Sequence, residues 1–297
     1  MKKTVLFVAA AVLATATFAQ DGLTSKKGEA YLPEAGDWAV GMNLTPFLDY
    51  ATNGTLPTGL VQSNGNLNGS LWVGNNQPMT LVGKMFKDET TAYRMKLRIG
   101  FGSNTLEGVT DTSLTTLTGE YTDEMKSSGM MITLGGGLEK RKGNTRLQGY
   151  YGAEALVSFG ASATEYSYAN EGSGTAASGI IQPSQFDFGN NTAFNGNANE
   201  RVTKHTDGAS FVFQLRGFIG VEYFFAPKIS VSAEYGWGLM MSSTSAGELD
   251  TEEYAISTGA AAGTEAVIKR KHTTGASSAF GIDTDNNGGQ ITLMFHF

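Results

Sequence analysis

The chain of 297 residues contains no cysteine and has few prolines and histidines. Without cysteine there is no disulfide framework, no thiol chemistry and no lipid-modified cysteine near the N-terminus. His205, His272 and His296 are accompanied by no G-x-S-x-G or H-x-E pattern, so no hydrolase motif surrounds them. The sequence therefore predicts a protein without enzymatic activity and without a cofactor.

Long hydrophobic runs are missing after the first residues of the chain. Lys2 and Lys3 precede an apolar run over residues 4–14, and small residues follow up to Ala19. This run is too short to span a bilayer, which takes about 20 apolar residues. The order of basic, apolar and small residues is typical of a secretory signal peptide. We predict a signal peptide over 1–19 and an N-terminal extension over 20–36.

Positive charge is also in the minority. The chain has 21 Lys and Arg against 28 Asp and Glu, and its formal net charge is −7. Loss of Lys2 and Lys3 with the signal peptide would make the charge still more negative. An acidic chain repels the phosphate backbone, so we do not expect nucleic acid as a partner.

Segments in which apolar and polar residues alternate are what the chain does contain. In residues 93–101, tyrosine, methionine, leucine, isoleucine and phenylalanine alternate with Arg94, Lys96, Arg98 and a glycine. A period of two residues predicts a β-strand with two different faces. The same pattern predicts eight strands, over residues 37–45, 79–86, 93–101, 129–139, 146–160, 211–225, 229–239 and 290–297.

The connections between these strands alternate in length. The second and third, fourth and fifth, and sixth and seventh strands are joined by a few residues, whereas the stretches 46–78, 102–128, 161–210 and 240–289 are long. Short turns at one end and long loops at the other are the layout of outer-membrane β-barrels. A soluble β-sandwich would also alternate, but it would not explain the connection lengths, the terminal Phe297 and the charged strand faces together.

These features resemble the small outer-membrane β-barrels of the OmpA/OmpX type and, more loosely, the β-barrel outer-membrane proteins of Bacteroidetes. The resemblance covers residues 37–297. It implies an all-β fold, a closed antiparallel transmembrane barrel of eight strands in the cell outer membrane, with periplasmic turns and termini and long extracellular loops. Ten strands remain an alternative, if residues 253–257 and 265–269 form an extra transmembrane hairpin.

The resemblance also names partners, which are the outer-membrane lipid and the barrel-assembly machinery. That machinery reads the last strand of such barrels, whose terminal residue is aromatic. The resemblance therefore assigns an assembly signal to the apolar face of the last strand, formed by Ile291, Leu293, Phe295 and Phe297.

The opposite strand faces carry charges of both signs. An eight-stranded barrel has an interior that side chains can fill, so these charges should pair with each other across the lumen. The predicted network consists of Lys84, Arg94, Lys96, Arg98, Glu139, Arg146, Glu154, Arg216, Glu222 and Glu234. A closed lumen gives the protein a structural or surface-interaction role, whereas lumen-side glycines keep a narrow porin for small solutes as the alternative.

Two loop features bear on binding. The stretch 161–210 places aromatic residues among Gly, Ser and Asn, namely Tyr166, Tyr168, Phe186, Phe188 and Phe194. They could contact a surface glycan or protein, or they could stack on each other. Residues 283–288 match the first half of a calcium loop, but Met294 stands where the last carboxylate ligand should be, so we predict a flexible turn and no metal.

Overall fold

The computed structural model describes residues 23–44, 81–111, 120–169, 188, 200–256, 265–282 and 289–297. Its regular elements there are β-strands, as predicted. No helix in these ranges is long and apolar enough to cross a membrane. The strands are β1 (Trp38–Asn43), β2 (Leu81–Asp88), β3 (Thr91–Asp111), β4 (Glu120–Lys142), β5 (Leu147–Ser167), β6 (Glu200–Thr206), β7 (Ser210–Ala226), β8 (Ile229–Thr244), β9 (Glu248–Ile256), β10 (Glu265–Thr273), β11 (Ser277–Ile282) and β12 (Gln290–His296).

Eight of these strands pair side by side in a closed antiparallel ring. The order is β1, β2, β3, β4, β5, β7, β8 and β12, and β12 returns to β1. The closing pair places Met42 opposite Leu293 and Ala39 opposite His296. Each of the eight predicted strands overlaps one strand of this ring, and the predicted antiparallel all-β fold is confirmed.

One end of the ring carries the short turns, and we call it the turn end. There, residues 89–90, 143–146 and 227–228 join β2 to β3, β4 to β5 and β7 to β8. Lys228 has a φ of 62°, the left-handed conformation that tight hairpin turns require. The Phe297 N–H donates to the Trp38 carbonyl at 2.8 Å, and the two rings stack with centroids 4.6 Å apart. The last residue therefore closes the ring at its turn end.

The strands extend much further toward the opposite end, which we call the far end, than the sequence pattern indicated. β3 and β4 stay paired from Thr91 opposite Lys140 to Asp111 opposite Glu120. Much of the predicted loop 102–128 is therefore strand. Beyond Phe101, polar residues follow on both faces of β3, so the alternation that marks a half-buried strand disappears.

Three strands form a side sheet beyond the far end of the ring. β5 continues past β7 and pairs with β6, β6 pairs with β9, and β9 pairs with β10. Residues 253–256 pair with residues 265–268 in this sheet and do not enter the ring, so within the described residues this hairpin adds no strand to the ring; Ser257 lies outside the described residues. β11 pairs with the far part of β8, and β12 pairs with its near part.

Candidate functional site

The outer and inner faces of the ring have opposite polarity. Outward side chains are large, apolar and exposed, and Phe101 and Ile219 expose 77% and 65% of their surface. Inward side chains at neighbouring positions are charged and buried, such as Lys96 and Arg216. In a soluble domain most charged side chains are exposed and most large apolar side chains are buried, because contiguous apolar surface is costly in water.

The inner face near the turn end holds the first part of a charge network. Lys84 Nζ lies 3.1 Å from Glu139 Oε1 and 3.0 Å from Glu222 Oε2. Arg141 Nη1 lies 2.7 Å from each of the same two carboxylates. Each of the four charged groups therefore has at least two partners of opposite sign.

The second part lies further along the lumen and is joined to the first by Arg94. Glu234 accepts from Arg94 Nη1 at 2.6 Å and from Arg216 Nη1 at 2.8 Å. Glu154 accepts from Lys96 Nζ at 2.6 Å and from Arg216. Arg94 also lies 3.4 Å from Glu139 Oε2, so one continuous network crosses the ring.

Aromatic and apolar side chains fill the space around these charges. The Arg94 guanidinium lies 4.0 Å from the Phe218 ring centroid, and Lys84 Nζ lies 4.8 Å from that of Tyr150. At the turn end, Phe86, Phe224 and Met294 are fully buried. Charges and rings together fill this half of the interior, as expected for a ring of eight strands.

His296 is the histidine that this packing includes. Its Nε2 lies 2.9 Å from Ser230 Oγ and 3.4 Å from Glu222 Oε1, and its ring packs against Phe86 and Phe224. It is therefore part of the floor of the lumen, next to the chain end.

The structure brings together eight of the ten residues predicted for the network, namely Lys84, Arg94, Lys96, Glu139, Glu154, Arg216, Glu222 and Glu234. Arg98 is buried on the same face of β3. Arg146 is placed differently. It precedes β5 in a turn, and its guanidinium stacks on Tyr31 of the N-terminal extension at 3.8 Å from the ring centroid.

Arg141 belongs to the network but was not predicted. The sequence pattern ended the fourth strand at Glu139, whereas β4 continues to Lys142. Since alternate residues of a strand share a face, Arg141 lies on the same inner face as Glu139. Extending the alternation by one step would have identified it.

The four residues assigned to the assembly signal share the outer face of the last strand. Ile291, Leu293, Phe295 and Phe297 point outward, while Thr292, Met294 and His296 are buried inside the ring. The geometry thus provides an apolar outer stripe that ends at Phe297. Reading of this stripe by the assembly machinery stays a prediction.

Aromatic residues of the stretch 161–210 pack on each other beyond the ring. Tyr166 lies 6.4 Å from Tyr168 and 6.1 Å from Phe188 between ring centroids. The Tyr168 hydroxyl donates to the Val202 carbonyl at 2.5 Å, and Arg201 stacks on the Tyr168 ring at 4.1 Å. Burial raises the pKa of the Tyr166 hydroxyl. These contacts favour the stacking interpretation for the three described rings, and Phe186 and Phe194 lie outside the described residues.

One group of polar side chains beyond the ring combines residue types of hydrolases. Ser162 Oγ donates to Asp207 Oδ2, and His205 Nε2 lies 3.5 Å from Asp207 Oδ1. Asp207 therefore stands between serine and histidine, whereas a catalytic triad needs histidine between serine and carboxylate. Across the described ranges no three or more His, Asp or Glu could hold a metal ion, and the stretch 283–288 lies outside them.

Comparisons with known proteins assign the chain to no family. No family model and no curated protein matches the chain. Among solved structures, the chain is similar to the NMR solution structure of outer membrane protein W of E. coli, at 12% sequence identity and a TM-score of 0.25, with 90% of this chain and 100% of that chain covered. A TM-score of this size supports no inference about fold or function, so both rest on the contacts of this chain.

Proposed function

We propose that this chain is an integral β-barrel protein of the bacterial outer membrane, without enzymatic activity. Its ring crosses the membrane with a lumen closed by the charge network. Its far end carries a surface-interaction role. The outer-membrane lipid surrounds the ring, and the barrel-assembly machinery inserts it.

The observation that carries this proposal is the inverted polarity of the ring. Ring strands bury charged side chains and expose leucine, isoleucine, methionine and phenylalanine. Lipid removes the cost of exposing these apolar groups, and a closed ring leaves no unpaired strand edge in the hydrocarbon. The rings of Trp38 and Phe297 at the turn end suit the aromatic girdle at a membrane interface.

The charge network supports a closed lumen over a narrow porin. Four carboxylates and five cationic side chains contact each other across the ring, and aromatic rings occupy the floor. Opening a path for ions would separate pairs that are buried on all sides. A buried charge left without its partner is destabilising, by about 3–5 kcal/mol when a partner is removed, so the paired and closed arrangement is favoured.

The side sheet supports the surface role. It extends past the apolar band and carries exposed ion pairs such as Lys204 with Glu165 and Lys271 with Glu248. Long connections of outer-membrane barrels lie outside the cell, and short turns face the periplasm. This orientation predicts that protease added to intact cells cuts beyond the far end and spares the turn at Pro227. Cleavage limited to the short turns would indicate the opposite orientation.

Single-channel recording of the refolded protein in a planar bilayer tests the closed lumen. A heat-modifiable gel shift first shows that the protein has inserted as a closed barrel. We expect insertion without steady conductance. Stable, reproducible current steps would instead assign the chain as a narrow porin.

Two substitutions in β12 test the membrane location independently. Leu293→Asp places a charge on the outer face, and Thr292→Asp places one on the inner face. We expect loss of the gel shift in outer-membrane fractions for Leu293→Asp and a smaller defect for Thr292→Asp. Deletion of Phe297 should block insertion but not export, since export depends on the signal peptide. Normal shifts for both Leu293→Asp and the deletion would favour a soluble fold.

A further inference from the structure

Three short connections meet where the side sheet leaves the ring. Residues 207–209, 245–247 and 274–276 join β6 to β7, β8 to β9 and β10 to β11. The Ser245 N–H donates to the Ala209 carbonyl at 3.0 Å, and the Thr274 N–H donates to the Gly247 carbonyl at 2.9 Å. A Cβ atom on Gly208 would lie 1.7 Å from the Ser245 carbonyl oxygen, so this contact needs glycine. We call this packed arrangement the junction.

A half-open cavity of about 490 Å³ lies between the junction and the adjacent parts of β4, β5, β7 and β8. This volume is within the range of about 300–1,000 Å³ found for small-molecule sites. The cavity wall combines hydroxyl side chains, glycines, two methionines, one histidine and one carboxylate. In the described part of the chain, its lining includes neither lysine nor arginine.

Asp207 fixes the polar side of the cavity. Its N–H donates to the Ser162 carbonyl at 2.9 Å, and its Oδ2 accepts from Ser162 Oγ. Its Oδ1 lies 3.5 Å from His205 Nε2. Each carboxylate oxygen can accept two hydrogen bonds, so Asp207 keeps acceptor capacity toward a ligand. Ser210 Oγ is held by the Gly160 carbonyl at 3.2 Å, which places a further hydroxyl at the wall.

The composition of the cavity selects a class of ligand. Phosphate and carboxylate groups are bound by arginine or lysine, which the described lining does not offer. Hydroxyls beside one carboxylate can both donate to and accept from the hydroxyl groups of a sugar. Met131 supplies flexible apolar surface for the C–H face of such a ring, whereas the Met130 side chain points to the outer face of β4.

We propose that this cavity binds a neutral sugar unit, of the size of one or two hexoses, from a surface glycan. The inference rests on the proposed function, since it places the cavity on the outer side of the membrane. It assigns the glycan contact to the junction rather than to the stacked rings of Tyr166, Tyr168 and Phe188.

Saturation-transfer NMR on the refolded full chain in lipid nanodiscs tests the proposal. Nanodiscs avoid sugar-based detergents. The probes are the methyl glycosides of glucose, galactose, mannose and N-acetylglucosamine, with choline and inorganic phosphate as a cationic and an anionic probe. The gel shift is recorded for each variant, so failure to form a barrel is separated from failure to bind sugar.

Gly275→Phe is designed to fill the cavity, because nothing lies within 4 Å of a Cβ atom at this position. We expect at least one glycoside to bind the native chain and to lose its signal with Gly275→Phe, while Gly275→Ala retains it. Asp207→Asn should weaken binding about tenfold, the loss expected for one hydrogen bond to a charged group. Glu165→Gln, on β5 and outside the cavity lining, should have no effect.

Three results would overturn the proposal for a protein with a normal gel shift. The first is that no glycoside binds. The second is that glycoside binding survives Gly275→Phe. The third is that choline or phosphate binds at this site in preference to every glycoside, which would assign a charged ligand instead.

Discussion

Ion pairs between strands occur in two regions of this molecule and have different consequences in each. Inside the ring, Glu234 meets Arg94 and Arg216 with all three side chains buried. In the side sheet, Glu165 meets Lys204 at 2.7 Å with about half of each side chain exposed. The geometry of the contacts is alike, but water screens the second pair and not the first. Loss of one partner therefore leaves an uncompensated buried charge in the ring, whereas in the side sheet it leaves a charge that water solvates.

Glu234→Leu tests the buried side of this comparison and should have the largest effect. It removes a carboxylate shared by Arg94 and Arg216, leaving buried cations short of a partner. We expect destabilisation by about 3–5 kcal/mol in urea unfolding of the refolded protein in lipid. Glu165→Leu is the matched control in the side sheet and should leave the unfolding midpoint unchanged. Equal effects of the two substitutions would remove the distinction between the regions.

Arg141→Leu and Arg146→Leu sharpen the boundary of the network. Arg141 contacts Glu139 and Glu222 inside the ring, whereas Arg146 stacks on Tyr31. Loss of Arg141 should cost about 3–5 kcal/mol. Loss of Arg146 should cost about 0.5–1 kcal/mol, the size of a partly exposed cation–π contact. The same unfolding assay compares the two variants. A larger loss of stability for Arg146→Leu would indicate that Arg146 lies in the lumen, as the sequence pattern predicted.

Ile219→Asp tests the outer face of the ring. The side chain is exposed on β7, and in lipid a carboxylate there would be penalised by about 1–2 kcal/mol, less than the cost of a lysine or arginine. Thr105→Asp on β3, four residues past Phe101 and opposite Lys126, is the control and should behave as the native chain. Refolding yield in vesicles, read by gel shift, measures both. A normal yield for Ile219→Asp would contradict lipid contact on this face.

The exposed pair of Glu165 and Lys204 should have the smallest effect on stability. This effect should depend on pH and should be confined to the side sheet. The hydrogen bond from Lys204 lowers the pKa of Glu165, and Glu165 raises the pKa of Lys204. The Glu165 contribution is therefore present above its unfolded-state pKa and is lost as pH falls through its folded-state pKa. The Lys204 contribution is lost as pH rises through its own raised value.

Amide hydrogen exchange in β5 and β6, corrected for intrinsic rates, measures this dependence. Protection near residues 163–165 and 204–206 should be highest at neutral pH and fall slightly toward both extremes. Glu165→Gln should abolish the decrease in protection at acidic pH. If that variant shows the same decrease, the ion pair is not its cause.

The ring and the side sheet also differ in how far their strands could be predicted from the sequence. Along β3, apolar residues alternate with Arg94, Lys96 and Arg98, so the strand and its two faces follow directly from the pattern. The other ring strands were predictable in the same way, because each has one apolar and one polar face. The side sheet was not predicted as a sheet, because polar residues fall at successive positions of its strands, as in residues 269–272, and leave no period of two.

The identity of each charge pair was beyond the sequence. Arg94 and Glu234 are 140 positions apart, and their contact depends on how β3 and β8 are staggered across the ring. Alternation fixes which residues point inward but not which of them meet. Similarly, the cavity at the junction depends on three turns that are distant in sequence and adjacent only after pairing of β6 and β9.

The central claim is that the outer face of the ring lies in lipid and the side sheet lies in water. The chain has no cysteine, so single cysteines introduced at Leu215, Ile219, Lys204 and Lys271 can each carry a unique fluorescent label. In vesicles with brominated acyl chains, we predict strong quenching at the two β7 positions and little at the two lysine positions. Equal quenching at all four positions, or stronger quenching in the side sheet, would contradict the proposed membrane-spanning ring.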